Sequence, residues 1–162
     1  MMRKMSALNS YGRTRGKQTM QTTINAHVFK TSNQYDVELV PLNQIHCTEA
    51  HNESRVAQLC SKIKTDNMWT NPIIIEKTTA LIMDGHHRFA AAKQLGLSHV
   101  PCIKLDYDDQ RVELSFWRDN LQPSVNDILA LKGSGEVLPY KTTRHVFNPT
   151  IGNCRIKVDL LY

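Results

Sequence analysis

The sequence has no apolar run near the ~18 residues that a membrane-spanning helix needs. No secretory signal is visible, because the N-terminus has no continuous apolar segment. Cysteines in CxxC spacing are missing as well. Cys47, Cys60, Cys102 and Cys154 are scattered beside apolar neighbours, so neither a zinc site nor a disulfide framework is expected. They read as small buried side chains of a reducing compartment. Internal repeats and low-complexity blocks are absent. So is acidic charge from residue 1 to residue 35.

That last absence decides how the net charge of +5 is read. Residues 1–36 hold Arg3, Lys4, Arg13, Arg15, Lys17 and Lys30 against Asp36 alone, whereas residues 37–162 carry fourteen basic and fourteen acidic groups. The body is neutral, which argues against a phosphate-tracking surface and against nucleic acid as a partner. Residues 1–35 are rich in Ser, Thr and Gln and are expected to be a disordered basic extension. An organelle transit peptide or an arm for an anionic partner are the alternatives. A cytoplasmic location without membrane contact is expected.

What is present suits one domain with a modest core: 162 residues, 41% hydrophobic and 22% charged. VELVPL (37–42) predicts a short strand. From Asn52, a candidate cap, Val56, Leu59, Cys60 and Ile63 fall at helical spacing, with Asn67 near the end. NPIIIEK (71–77) is a β-branched strand, and TTALIMD (78–84) pairs with it through a turn. HHRFAAAKQLG (86–96) is a helix closed by Gly96, followed by the strand HVPCIKLDY (99–107). Residues 111–118 fit either type, with Trp117 expected in the core and Arg118 on the surface. Ser124 starts a short helix to about Lys132, and CRIKVDLLY (154–162) predicts a final alternating strand. The expected class is α+β: a small mixed β-sheet with packed helices.

The chemistry gathers at IMDGHHR (82–88), where a strand turns into a helix. A helix N-terminus presents unpaired N–H groups and a positive dipole end, hence a natural anion site. Gly85 lets a phosphate approach the backbone. Arg88 opposes the dipole unless an anion sits between it and the helix end. His86 and His87 add donors and a proton carrier. Asp84 could hold Mg²⁺ or orient a hydroxyl. A DG turn with a capping histidine is the plain structural alternative.

LVPLNQI, NPIIIEK, LIMDGHHRFAAAKQLG and HVPCIKL together resemble the ParB/sulfiredoxin superfamily domain over residues 37–107. The resemblance implies that the glycine-led corner binds nucleotide phosphates. Sulfiredoxin-type reduction needs a cysteine after the corner glycine, and His86 stands there. A partition-type DNA reader needs a helix-turn-helix that the remaining chain does not show. LVPLNQIHCTEAH and GEVLPYKTTRHVFNP are similar to the free L-serine kinases of archaea and bacterial siderophore loci, whose C-terminal signature reads LP-x-K-[ST]-T-x-H-x-F-x-P.

That resemblance implies Glu49 as the base acting on a serine hydroxyl, with Asp84 and His87 as further catalytic groups. It implies Gly85, His86, His87 and Arg88 around the phosphates of ATP or ADP, with Mg²⁺ at Asp84. It brings Lys141, Thr142, Thr143, Arg144 and His145 back to bind the substrate, L-serine or a close analogue. Three parts are therefore expected: the extension 1–35, a ParB-like nucleotide-binding core 36–107, and a C-terminal completion 108–162. The stretch between Tyr107 and Lys141 is shorter than in those kinases, so a non-catalytic nucleotide-binding regulator, possible DNA association included, stands as the alternative. The oligomeric state is left open.

Overall fold

The structure, a computed structural model, describes residues 28–33 and 35–162. Strand β1 (Phe29–Lys30) pairs antiparallel with β2 (Asp36–Pro41). Strand pairing therefore extends upstream of the expected boundary at residue 36. Tyr35 is buried, and its hydroxyl donates to the Pro149 carbonyl at 2.7 Å. Most of the expected extension, residues 1–27, lies outside the described residues.

Helix α1 (Glu53–Asp66) starts where expected, because the Asn52 side chain accepts from the Arg55 N–H. It ends at Asn67, which takes the left-handed conformation asparagine tolerates. After β3 (Met68–Trp69) comes β4 (Ile73–Glu76), whose residues are all buried as its β-branched run predicts. Strand β5 (Ile82–Asp84) folds back on β4, through a turn pinned by the Glu76 carboxylate to the Thr78 and Thr79 amides. Helix α2 (His86–Leu95) follows at once and stops at Gly96. Its buried Ala90, Ala91 and Ala92 let it pack closely with little side-chain volume between.

Strand β6 (His99–Leu105) then inserts between β2 and β4, antiparallel to the first and parallel to the second. The main sheet runs β1-β2-β6-β4-β5, and it is mixed. Residues 111–118 resolve as strand β7 (Val112–Phe116). The short helix α3 (Val125–Ala130) carries a capping box between Ser124 and Asp127. Strand β8 (Thr143–Phe147) pairs antiparallel with β7.

The final strand is shorter than expected. Only β9 (Ile156–Lys157) pairs, with β3, and a 3-10 turn follows at Val158–Leu160. Alternation would bury Leu160, but Leu160 is exposed and Leu161 is buried. The turn is held because the Leu161 carbonyl accepts the Ser98 and His99 amides, fixing the chain end against β6. The β3–β9 pair also ties the segment after residue 107 into the core. Among the described residues no helix is long and apolar enough to cross a membrane.

Candidate functional site

A cavity of about 270 Å³ opens where five pieces of chain meet: residues 49–50, Arg55 of α1, the β5–α2 corner, Trp117, and the loop from Tyr140 into β8. Main-chain bonds assemble it. The Ala50 amide donates to the Leu138 carbonyl at 2.9 Å, and the Leu138 amide donates to the Thr48 carbonyl at 2.8 Å. This bridge sets the C-terminal segment beside Glu49.

Glu49 is buried to 7% exposure. Its Oε1 accepts from the Thr143 amide at 2.5 Å and from the Thr143 hydroxyl at 2.6 Å. Its other oxygen has no hydrogen-bond partner among the described residues, and Glu49 lines the cavity. One oxygen orients the carboxylate and the second is left for a ligand.

The corner is built differently from the expectation. Gly85 has φ 114°, a conformation L side chains rarely adopt. A β-carbon there would stand 3.1 Å from Arg88 Nε and Nη2 and 3.2 Å from Ile73. The space over Gly85 is thus filled by the protein's own guanidinium and not left open for a phosphate. Arg88 Nη2 donates to Asp84 Oδ2 at 2.8 Å, so this cation, placed against the dipole, is balanced by a carboxylate one turn back. Gly85 supplies no side-chain cap to α2, so the first-turn N–H groups remain the anion-binding feature of the corner.

The histidines take roles that the sequence did not reveal. His86 Nε2 receives the Thr48 amide at 3.3 Å and the Glu49 amide at 3.2 Å, with Thr48 Oγ1 at 2.8 Å. The residue is partly exposed and lines the cavity, while Nε2 is taken up by these contacts. Burial pushes its pKa down to about 3, which favours the neutral ring near neutrality. His87 Nε2 accepts the Asn52 amide at 3.2 Å, and its ring meets Tyr140 edge-on at 5.6 Å between centroids. Burial, then the charge of Arg55, lowers its pKa. His87 thereby fastens the start of α2 to the start of α1, with one nitrogen committed to that bond.

In β8, His145 Nε2 lies 3.1 Å from the Tyr107 hydroxyl, while its buried Nδ1 lacks a hydrogen-bond partner among the described residues. Burial lowers its pKa to about 4. Asp84 and the Met83 carbonyl favour the charged ring somewhat, the carbonyl without meeting the geometry of a full bond.

Lys141 and Arg144 line the cavity; Thr142 does not. It is fully buried, and its hydroxyl donates to the Pro139 carbonyl at 2.7 Å. Trp117 corrects another expectation. It is 55% exposed and forms part of the wall, with Arg144 4.9 Å and Lys141 5.4 Å from its ring centroid. Strand β7 ends one residue earlier, at Phe116, which frees the indole to take these cations on its face. Arg118 is exposed and donates to the Tyr140 and Lys141 carbonyls, fixing the loop in which Lys141 adopts φ 56°.

The sequence reading also missed Arg55 and Tyr140, which line the cavity and bond to one another at 3.2 Å. Arg55 carried the signal that marked Arg88, a cation in a helix's first turn. With Arg55, Arg88, Lys141 and Arg144 against Glu49 and Asp84, the cavity concentrates positive charge that the neutral body conceals. Among the described residues no three His, Cys, Asp or Glu side chains gather to hold a metal unaided. Mg²⁺ bound through phosphates needs only one or two carboxylates, however, and one Asp84 oxygen has no hydrogen bond among the described residues.

Residues 17–117 match the model of the ParB N-terminal domain. A protein of Desulfurococcus mucosus described as an ATP-dependent L-serine kinase is 34% identical over 114 residues, which cover 66% of this chain and 39% of that protein. One of Staphylothermus marinus with the same description is 38% identical over 79 residues, covering 46% and 31%. The chain thus spans well under half the length of these two curated relatives. A solved free serine kinase in complex with AMP shares the fold, with a TM-score of 0.71 over 86% of this chain and 98% of that one at 15% identity.

Proposed function

This chain belongs to the ParB N-terminal domain family, and on that premise we propose that it is a nucleotide-dependent phosphotransferase acting on free L-serine or a close small hydroxylated analogue. The observation that carries the proposal is the two-sided carboxylate of Glu49. One oxygen is fixed by Thr143 and the other is open to a cavity that the start of α2, without a side-chain cap, also lines. A site that only bound a nucleotide would gain nothing from an oriented carboxylate facing the phosphates. The names of the two serine-kinase relatives support the same reading.

In this reading the first-turn N–H groups of α2 hold the terminal phosphates of ATP or ADP. Lys141 and Arg144, steadied on Trp117, take the remaining phosphate charge or the amino acid's carboxylate. The serine hydroxyl lies against the free oxygen of Glu49. As its oxygen bonds to the terminal phosphorus, the hydroxyl proton passes to Glu49 and the phosphoanhydride bond breaks. The products are O-phosphoserine and the nucleotide shortened by one phosphate. Asp84 is the residue that would hold Mg²⁺, which when bound neutralises phosphate charge. Transfer of this kind depends on positioning and charge more than on covalent help from the protein, and the cavity supplies both.

The test is phosphoserine formation, followed by mass spectrometry, with L-serine, Mg²⁺ and either ATP or ADP. Glu49→Gln should lower turnover by about 10²- to 10⁴-fold, the range of a general base, with nucleotide affinity nearly unchanged. Normal turnover in that variant would remove Glu49 as the base. Nucleotide binding without product in the unaltered protein would favour a regulatory binder.

A further inference from the structure

His86 is the first residue of α2, and its ring reaches back to the segment that carries Glu49. The Thr48 and Glu49 amides both point at His86 Nε2, at 3.3 and 3.2 Å. A backbone N–H cannot turn away, so two of them converging on one nitrogen require a lone pair there. The Thr48 hydroxyl can rotate. It donates to the Ile82 carbonyl at 2.8 Å and stands 2.8 Å from Nε2. The ring proton must then sit on Nδ1, and the ring is neutral.

We infer that His86 is a positioning residue: through Nε2 it ties the backbone of Glu49 to the helix start that holds the phosphates. This deepens the proposed function and rests on Glu49 being the base. The side chain of Glu49 is fixed from the C-terminal side by Thr143, and its main chain is fixed from the corner by His86. Base and phosphate cradle become one unit. Loss of the lone pair leaves two part-buried amides without an acceptor and lets residues 48–49 shift relative to α2. A displacement of about 1 Å between reacting groups can cost ~10²-fold in rate.

The role makes a specific demand: an acceptor at the Nε2 position. Glutamine reaches that position with an amide oxygen. Methionine has similar length and bulk but no comparable acceptor. His86→Gln should hold turnover within about 5-fold, whereas His86→Met should lower kcat by ~10²-fold, with the nucleotide Kd changed less than about 3-fold. In parallel, hydrogen exchange at the Thr48 and Glu49 amides should accelerate in the methionine variant and not in the glutamine variant. Wild-type turnover in His86→Met would overturn the inference. Equal impairment of the two variants would also overturn it, because the acceptor would then not matter. So would loss of nucleotide affinity as the main effect, which would return His86 to the nucleotide site. The exchange measurement needs no activity. If the unaltered protein makes no phosphoserine, faster exchange in His86→Met alone would still support the tether while the kinase reading failed.

Discussion

The guanidinium of Arg88 lies over Gly85, 3.1 Å from where a β-carbon on that glycine would stand. The glycine is needed twice, for its φ of 114° and for the cation resting on it. Gly85→Ala meets both obstacles, since alanine resists this conformation and its methyl would crowd the Arg88 guanidinium. The strained backbone alone costs about 1–3 kcal/mol. The expected outcome is a lower Tm together with at least ~10-fold weaker nucleotide binding, a 1.4 kcal/mol effect, read by thermal unfolding and by titration. Unchanged affinity in a folded variant would separate the corner from the phosphate site.

Thr143 holds Glu49 through both its amide and its hydroxyl. Thr143→Val keeps the shape and the amide and removes only the hydroxyl. A hydrogen bond to a charged group contributes about 1.5–3 kcal/mol. Turnover should therefore fall by roughly 10- to 100-fold with little change in nucleotide affinity. Thr143→Ser should restore most of it. Steady-state kinetics on the two variants would check this, and full turnover in Thr143→Val would show that the hydroxyl is not what aims Glu49.

His86 and His145 titrate at about 3 and about 4 in the folded protein, both lowered chiefly by burial, against an ordinary value of 6.5. The unfolded chain therefore binds more protons between those limits, and stability rises with pH there. Their contribution is fully present above pH 6.5 and is lost as pH falls toward 4 and then 3. The loss can reach about 1.4 kcal/mol per pH unit for each ring. Tm should drop on acidification from pH 7 to pH 5, and the drop should be shallower in His145→Phe. An equal slope in that variant would assign the acid sensitivity elsewhere.

Much of the frame was legible because its causes are local. Asn52 and Gly96 bound their helices by capping rules, and the β-branched run at 73–75 makes a buried strand. The strand-to-helix corner was readable for the same reason. What the sequence could not show was where each polar group spends its hydrogen bonds. His86 and His87 look like free donors in a row of letters. Their nitrogens are taken by amides 35 to 38 positions away. Trp117 looks like core because tryptophan usually is, and only the end of β7 at Phe116 turns it toward the cations. Arg55 and Tyr140 stand 85 positions apart and become neighbours only through folding.

The bond between Thr143 and Glu49 spans 94 positions of chain. In loop-closure terms such a span is forgiving: doubling a flexible connection adds only about 0.6 kcal/mol to the entropy of bringing its ends together. The two halves of the site are pinned by main-chain bonds at Thr48, Ala50 and Leu138, not by the length of what joins them. The stretch between the core and that bridge is therefore free to lengthen or shorten over evolutionary time, and a pocket for a different hydroxylated acceptor could be inserted there while the carboxylate keeps its aim.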